Sequence, residues 1–299
     1  MATKNISEIL RNIDAINQTR HVTNAMYMLS VTAMRRGLSQ MDYNRRYMRY
    51  LCTAVKDILE KSPDVRHSFI DGDGYLGKRD SAFLVIASDK SLCGAYNQNV
   101  AAALEAQLRR VRNDGREAIV YTAGLKIAEI LRSRGTEVYR NFDGASQYPS
   151  MHHVYTITQE LIDIFRCGYV KDVYVVFTAY ESAAEQPVIT HRLLPLAVEN
   201  FETVSLSDPY TARMTYEPSP EEVFNKMVPQ YMQGFLYGCF CSAEVCENMA
   251  RMTAMQSATQ NADEMLKKLN TAYNDARQME ITSELTEIAA ATELTKNAI

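Results

Sequence analysis

The sequence predicts an α/β protein with a long helix at each end of the chain. Residues Cys239 to Ile299 contain neither glycine nor proline, and Gly37 is the only such residue between Met1 and Ser62. Glycine costs a helix interior about 1 kcal/mol and proline about 3 kcal/mol, so each stretch can form one continuous helix. Between them, short apolar runs alternate with helical patterns, which favours a mostly parallel, Rossmann-like sheet.

Three segments are expected from this pattern. They are an N-terminal coiled-coil helix over residues 1–62, a Rossmann-like domain over residues 63–210 and a C-terminal coiled-coil helix over residues 211–299. Residues 1–66 carry 11 Lys or Arg against 6 Asp or Glu, whereas residues 217–299 carry 6 against 12. This opposite charge favours pairing of the two long helices, although each exposed ion pair contributes less than about 1 kcal/mol.

The C-terminal segment carries an apolar stripe with the heptad spacing of a left-handed coiled coil. The stripe slips by one position and is expected to resume at Ile281, Leu285 and Ile288. Fully burying one such side chain contributes about 1.5–3 kcal/mol, so apolar contacts rather than charges should hold the coil together. The stripe consists of Met252, Met255, Thr259, Ala262, Leu266, Leu269, Tyr273 and Ala276.

The N-terminal segment has a similar stripe at first and a different pattern afterwards. From Val22 to Met34, apolar residues spread around most of the helix. A helix that is apolar on most sides is enclosed on most sides, and a coiled-coil partner covers only one face. We therefore expect a further partner around residues 22–34. The initial stripe consists of Ile6, Ile9, Ile13 and Ile16.

The middle of the chain predicts alternating strands and helices. Continuous apolar or β-branched runs indicate buried strands, and a period of 3.6 residues indicates helices. Pro229 is expected to kink the last helix or delay its start. The predicted strands are Ala82–Ala87, Ala118–Tyr121, Glu137–Tyr139, Val173–Thr178 and Val188–Leu194, and the predicted helices are Ala95–Val111, Leu125–Ser133 and His152–Phe165.

No pattern in the sequence points to a catalytic, cofactor or metal site. Gly72–Gly77 matches GxGxxG, but a dinucleotide loop follows a strand and opens a helix, whereas this motif precedes the first predicted strand. Cys239, Cys241 and Cys246 have no nearby histidine to complete a zinc site, so buried, reduced thiols are expected. The basic N-terminal helix is better explained by an acidic partner helix than by nucleic acid.

Several short motifs, in the same order along the chain, resemble the gamma subunit of F-type ATP synthases. The turn SDKSLCGAYN at residues 88–97 follows the first predicted strand, and VTNAMYM occupies residues 22–28. The C-terminal segment contains RMTAM at 251–255, ATQNA at 258–262, YNDARQ at 273–278 and ITSE at 281–284. The resemblance covers both terminal segments and the first strand and turn of the middle. Most of residues 110–210 carry no such motif.

The resemblance implies a rotary central shaft. The terminal helices would form an antiparallel coiled coil inside a collar of alpha and beta subunits, and the Rossmann-like domain would stand on the ring of membrane c subunits beside epsilon. Nucleotides and catalytic residues would belong to the partners, so the chain would bind no cofactor and would not be an enzyme by itself. By the same resemblance, the beta-subunit contacts are Met26, Cys93, Arg277, Gln278 and Thr282, and the contacts with the ring and epsilon are Tyr216 and Glu217.

The chain departs from the family pattern at four positions. The family has glycine where Ser91 stands, which is expected to strain or reshape the turn after the first strand. Ala33 replaces a lysine of the N-terminal helix and Cys246 replaces a serine. Ala291 replaces a glycine, which makes the C-terminal end more helical.

Two other classes of protein remain open from the residues themselves. An enzyme with a small nucleotide-binding domain and helical dimerisation arms would bind a dinucleotide without partners. A coiled-coil adaptor would form a homodimer through the same helices. The sequence shows no secretory signal, transit peptide or apolar run of 18 residues. We therefore expect a peripheral protein on the cytoplasmic face of a bacterial cell membrane, held there by its partners.

Overall fold

A computed structural model describes residues 6–61, 68–71, 81–147, 149–196, 201 and 216–296. It confirms the predicted fold class, with long terminal helices and a central α/β sheet. The motif Gly72–Gly77 lies outside the described residues. The elements are α1 (Ile6–Lys61), α2 (Ser68–Asp71), β1 (Ser81–Ile86), α3 (Tyr96–Asn113), β2 (Ala118–Ala123), α4 (Leu125–Ser133), β3 (Arg140–Asn141), α5 (Met151–Arg166), β4 (Asp172–Thr178), β5 (Val188–Leu194) and α6 (Pro220–Lys296).

The five strands form one mixed sheet in the order β3-β2-β1-β4-β5. β1 pairs in parallel with β2 and β4, and β2 pairs in parallel with β3. β5 is antiparallel to β4, because a short connection can join antiparallel strands, whereas a parallel pair needs a longer crossover. The short strand predicted at Glu137–Tyr139 is wrong by a few residues: pairing with β2 occurs at Arg140–Asn141.

The sheet has an apolar core on each face. Every residue of β1 is buried, and its side chains alternate between the two cores. Leu84 and Ile86 pack with α5 and the first part of α6, whereas Phe83 and Val85 pack with α3 and α4. A strand covered on both faces reads as a continuous apolar run, which is why β1 was recognisable in the sequence.

Contacts group the described chain into two compact units. Unit 1 contains the described residues of α1 up to Leu29 and of α6 from Arg251 onwards, and unit 2 spans Ser30–Ala250. The boundary therefore cuts across both long helices. The division into segments 1–62, 63–210 and 211–299 stays a prediction.

Each long helix continues through a residue of a type that disfavours helices. α6 begins at Pro220 and contains Pro229 in its interior, so the expected delay of the helix start is wrong. Val228 and Met232 on either side of that proline are fully buried, and such packing offsets the lost backbone hydrogen bond. α1 likewise runs through Gly37.

Candidate functional site

The carboxyl ends of β1 and β4 mark the point at which the strand order reverses. From β1 the chain proceeds to β2 and β3 on one side, and β4 and β5 lie on the other side. Open α/β sheets bind their ligands in the crevice at this position. Here α6 crosses it, since Ala243 belongs to the core on one face of the sheet and Cys246 to the core on the other.

Two hydroxyl groups attach α6 to this end of the sheet. Ser242 Oγ accepts a hydrogen bond from Tyr180 N at 2.7 Å and donates one to Thr178 O at 3.1 Å. Tyr96 Oη, at the start of α3, donates to Ala243 O at 3.2 Å. Burial raises the pKa of Tyr96 well above its usual range, so this hydroxyl stays protonated and remains a donor. The crevice used for ligands in related sheets is thus filled by a helix of the chain itself.

The segment of α6 from Cys239 to Asn248 is buried at every residue. A helix segment buried all round is enclosed by protein on all sides. Burial raises the pKa of Cys241 and of Cys246 to about 12 and that of Cys239 well above its usual range. Their thiols are therefore protonated and unreactive at neutral pH, as expected for buried structural cysteines. Cys167, by contrast, is exposed.

Within unit 2, α1 encloses the same segment of α6 from the other side. Arg36 Nη2 lies 2.6 Å from Glu244 Oε1, and the carboxylate is buried while the guanidinium is half-exposed. Burial raises the pKa of Glu244, and the Arg36 charge partly offsets this rise. A Cβ atom at Gly37 would lie 2.7 Å from Val245 Cγ2, so glycine permits the close approach of the two helices.

The turn after β1 holds Cys93 inside the domain. Cys93 is 2% exposed and accepts a hydrogen bond from Asn97 Nδ2 at 3.3 Å. Ser88 Oγ accepts from the same amide nitrogen at 2.6 Å. Leu92, with φ of 66°, and Gly94, with φ of 58°, adopt left-handed backbone conformations in this turn, and Ser91 does not. The Ser91 substitution therefore does not create the strain expected there, and Leu92 is the exposed apolar residue of the turn.

Unit 1 is an antiparallel pair of helix segments. Arg20 Nη1 lies 3.3 Å from Asp263 Oδ1, and the hydroxyls of Thr23 and Thr259 are 2.8 Å apart. From Arg20 to Thr23 the residue number rises on α1, while from Asp263 to Thr259 it falls on α6. The two helices are therefore antiparallel. Continued at this register, Ala276 is level with Ser7, near the start of α1.

The predicted seam residues lie on one side of each helix in unit 1. Ile9, Met255 and Leu266 are buried. Ile13, Ile16, Met252, Leu269 and Tyr273 are partly buried. The sequence did not predict the polar seam positions Arg20 and Thr23. Their place in the seam becomes clear only from the residues of α6 opposite them. Their spacing of four and three residues after Ile16 is the signal that was available.

The expected resumption of the seam at Ile281, Leu285 and Ile288 is wrong. These side chains are 45%, 62% and 63% exposed. At about 100° per residue they point about 90° away from the mean direction of the stripe formed by residues 252–276. The seam positions themselves are occupied beyond Ala276 by polar residues such as Glu280 and Glu287.

Three of the residues matched to a beta-subunit contact share the exposed face of α6 beyond Ala276. Arg277, Gln278 and Thr282 are exposed and lie within about 140° of arc together with the exposed apolar residues. Thr282 Oγ1 donates to Gln278 O at 2.7 Å. On α1 of the same unit, Val22, Met28 and Leu29 are exposed, whereas Met26 is partly buried. Unit 1 thus presents large apolar side chains beside polar ones to the solvent.

The two residues matched to contacts with the ring and epsilon, Tyr216 and Glu217, belong to unit 2. Tyr216 donates a hydrogen bond to the buried carboxylate of Asp57, and burial together with this acceptor raises the pKa of Tyr216 far above its usual range. Glu217 is exposed. Among the residues described, no cluster of three metal-ligating side chains occurs. Nor does any described helix combine the length and apolarity that crossing a membrane requires.

Comparison with known proteins decides the family. A family model described as "ATP synthase" matches residues 5–293. The ATP synthase gamma chain of Ruminiclostridium cellulolyticum is 35% identical over 287 residues, which cover 95% of this chain and 96% of the relative. This chain belongs to the ATP synthase gamma chain family. It is accordingly a non-catalytic subunit of an ATP synthase, as the motifs at residues 88–97 and 251–284 had indicated.

Other relatives and solved structures agree with this membership. A gamma chain of Acetobacterium woodii described as sodium ion specific is 30% identical and covers 97% of this chain and 98% of its own length. The rotor of Euglena gracilis mitochondrial ATP synthase aligns with a TM-score of 0.62 at 14% identity, over 92% of this chain and 98% of that chain. The central stalk of the Tetrahymena thermophila enzyme gives 0.58 at 21% identity, over 79% and 99%. These structures share the fold.

Proposed function

We propose that this chain is the rotating central shaft of a proton- or sodium-transporting ATP synthase. In this proposal, unit 1 turns inside a collar of alpha and beta subunits, and unit 2 stands on the c-subunit ring beside epsilon, at the cytoplasmic face of the cell membrane. The gamma-chain relatives and the rotor and central-stalk structures that share the fold support these partners.

The observation that carries the proposal is the apolar surface of unit 1. Leu285 and Ile288, three residues apart on the same face of α6, are each more than 60% exposed. Soluble monomers rarely leave such side chains together in water, so this surface indicates a protein partner. At each angle of rotation, the shaft would contact the surrounding subunits differently. It would therefore favour a different conformational state in each of them, because only differential contact shifts an equilibrium between conformations.

The matched contact residues fit this proposal to different degrees. Arg277, Gln278 and Thr282 are accessible to a beta subunit. Cys93 is buried, so the turn around it would meet the beta subunit through Leu92 and the exposed backbone near Gly94. Met26 is partly buried on α1, and its remaining exposed surface would contact the beta subunit. Tyr216 and Glu217 would face the ring and epsilon.

The filled crevice supports a shaft rather than an enzyme. Ser242 and Tyr96 attach α6 where a nucleotide would otherwise bind in this kind of sheet. The same contacts would transmit torque between the α/β domain and the helix that enters the collar.

Purification tests the proposal. The tagged chain is isolated from a detergent extract of membranes from its own host, and the associated subunits are quantified. We expect alpha and beta subunits in equal amounts, each in excess over this chain, together with epsilon and c subunits. Recovery of the chain as a homodimer without these subunits would contradict the proposal.

A further inference from the structure

An exposed row of tyrosines runs along α1 in unit 2. Tyr43 and Tyr50 are each 70% exposed and Tyr47 is 45% exposed. They are spaced four and three residues apart, so at about 100° per residue they fall within about 60° of one another. We call these three residues the tyrosine stripe. It is about 10 Å long, since the helix rises by 1.5 Å per residue.

The stripe is separate from the face of α1 that contacts α6. On that neighbouring face Asn44 Nδ2 donates to Gly234 O at 2.9 Å, and Met48 packs against the main core. Tyr47 borders this contact, because a Cβ atom at Gly234 would lie 3.2 Å from Tyr47 Cε1. Tyr47 therefore lies where the stripe meets this contact, and Tyr43 and Tyr50 are the more exposed members of the stripe.

Positive charge follows one flank of the stripe. Arg46 and Arg49 lie on this flank, three residues apart, and neither has an acidic partner in the described part of the chain. Elsewhere α1 uses Arg20 and Arg36 to pair with acidic residues of α6. Pairing with α6 thus explains the positive charge of Arg20 and Arg36. It does not explain the positive charge of Arg46 and Arg49.

The spacing and composition indicate which partner fits. Steps of four and three residues place side chains in the seam between two packed helices. Tyrosine and arginine are the residue types that contribute most at protein interfaces. Helices that lie on a membrane present leucine, phenylalanine or tryptophan, and none of these occurs between Asp42 and Tyr50.

We propose that an α-helix of another subunit of the complex packs along the tyrosine stripe. Its apolar side chains lie against the rings of Tyr43, Tyr47 and Tyr50, and carboxylates three or four residues apart pair with Arg46 and Arg49. The inference rests on the proposed function in that it requires the assembled enzyme. It adds a specific surface and the chemistry of the segment that occupies it.

Photocrosslinking in the purified intact complex tests the proposal. Tyr50 is replaced by the photoreactive p-benzoylphenylalanine, and crosslinked peptides are identified by mass spectrometry. We expect one dominant crosslink to a helical segment of another subunit with acidic residues at a spacing of three or four. Arg46→Glu in the same background should lower its yield about tenfold, which corresponds to about 1.4 kcal/mol. Arg132→Glu on α4, far along the chain from the stripe, is the matched control and should leave the yield unchanged.

Each other outcome overturns the proposal. Crosslinks to lipid, to nucleic acid, to a second copy of this chain or to this chain itself would assign the stripe to another role, as would a protein crosslink that does not respond to Arg46→Glu. In all these cases alpha and beta subunits would still copurify with the chain, so failure of this inference is distinguishable from failure of the proposed function. If Arg46→Glu prevents assembly, Arg46→Gln is measured in the same way.

Discussion

Gly37 of α1 lies so close to Val245 of α6 that a Cβ atom at position 37 would be 2.7 Å from Val245 Cγ2. In an exposed helix, Gly→Ala stabilises by about 1 kcal/mol. Here the added methyl group must displace packed side chains, which costs about 1–3 kcal/mol. We therefore expect Gly37→Ala to lower the free energy of unfolding, measured by urea denaturation. Ser39→Ala, at an exposed position of the same helix, should leave it unchanged or raise it slightly. A stabilised Gly37→Ala variant would contradict the close helix approach.

The hydroxyl group of Ser242 joins α6 to the end of β4 as both a hydrogen-bond acceptor and a hydrogen-bond donor. Ser242→Ala leaves the N–H of Tyr180 and the C=O of Thr178 without this partner in a buried place. An unsatisfied buried group costs about 1–3 kcal/mol, and we expect a loss of stability in that range. Ser257→Ala, at an exposed position of α6, is the control. Hydrogen exchange at the Tyr180 amide should accelerate in the Ser242 variant, and unchanged exchange would argue against the bridge.

Leu266 is a buried seam residue of unit 1, with 7% of its surface exposed. Leu266→Ala removes apolar contact and leaves a cavity, which costs about 2–5 kcal/mol. The neighbouring Met265 is 54% exposed, so Met265→Ala should cost far less. Thermal unfolding of the two variants measures the difference, and recovery of assembled complex should fall for Leu266→Ala. Equal losses for both variants would show that the seam is elsewhere.

Glu244 is expected to make stability depend on pH. Its folded-state pKa is raised above the ordinary 4.5, chiefly by burial, so between these two values the folded chain binds more protons than the unfolded chain. Stability from this group is therefore present at low pH and is lost as pH rises through the raised pKa. Glu244→Gln removes this contribution to the pH dependence. Denaturation from pH 4.5 upwards should show the wild type losing stability relative to Glu244→Gln with rising pH, by at most about 1.4 kcal/mol per pH unit. An opposite slope would contradict the raised pKa.

Arg277 is exposed on the segment of unit 1 that would enter the collar. Because no ion pair within the described chain depends on it, Arg277→Glu should leave the unfolding free energy within about 0.5 kcal/mol of the wild type. We expect a large loss of ATP synthesis in reconstituted vesicles, since charge reversal would oppose the proposed contact with the beta subunit. Lys226→Glu, on the exposed surface at the start of α6, is the control. Normal synthesis by the Arg277 variant would remove this residue from the coupling surface.

The sequence predicted most elements because their signals are local. β1, α4 and β5 were readable from apolar runs and helical periodicity, and β5 and α4 begin and end at the expected residues. The absence of glycine and proline predicted an uninterrupted helix from Cys239 onwards, and α6 begins earlier, at Pro220. Pro229 misled, since the effect of a helix breaker depends on the packing around it, and that packing comes from residues distant in sequence.

The candidate site was less accessible from the sequence. Ser242 and Glu244 carry no motif that distinguishes them from any helical serine or glutamate, and the motif at residues 88–97 that contains Tyr96 does not reveal the partner of its hydroxyl group. Their roles arise from contacts with residues 62, 147 and 208 positions away. The apolar stripe at Ile281, Leu285 and Ile288 was wrongly assigned to the seam. An apolar stripe alone does not show whether the partner helix covers that face.

By itself, the sequence determined the fold class, the two long helices, the heptad spacing of the seam and the family resemblance, since each depends on residue spacing along one element. Tertiary structure decided the rest. It placed α6 in the crevice between β1 and β4, buried Cys93 and exposed Leu92, and left the end of unit 1 apolar in solvent. The physical reason is that burial and hydrogen-bond partners belong to pairs of segments, and the identity of the paired segment is fixed only when the chain has folded.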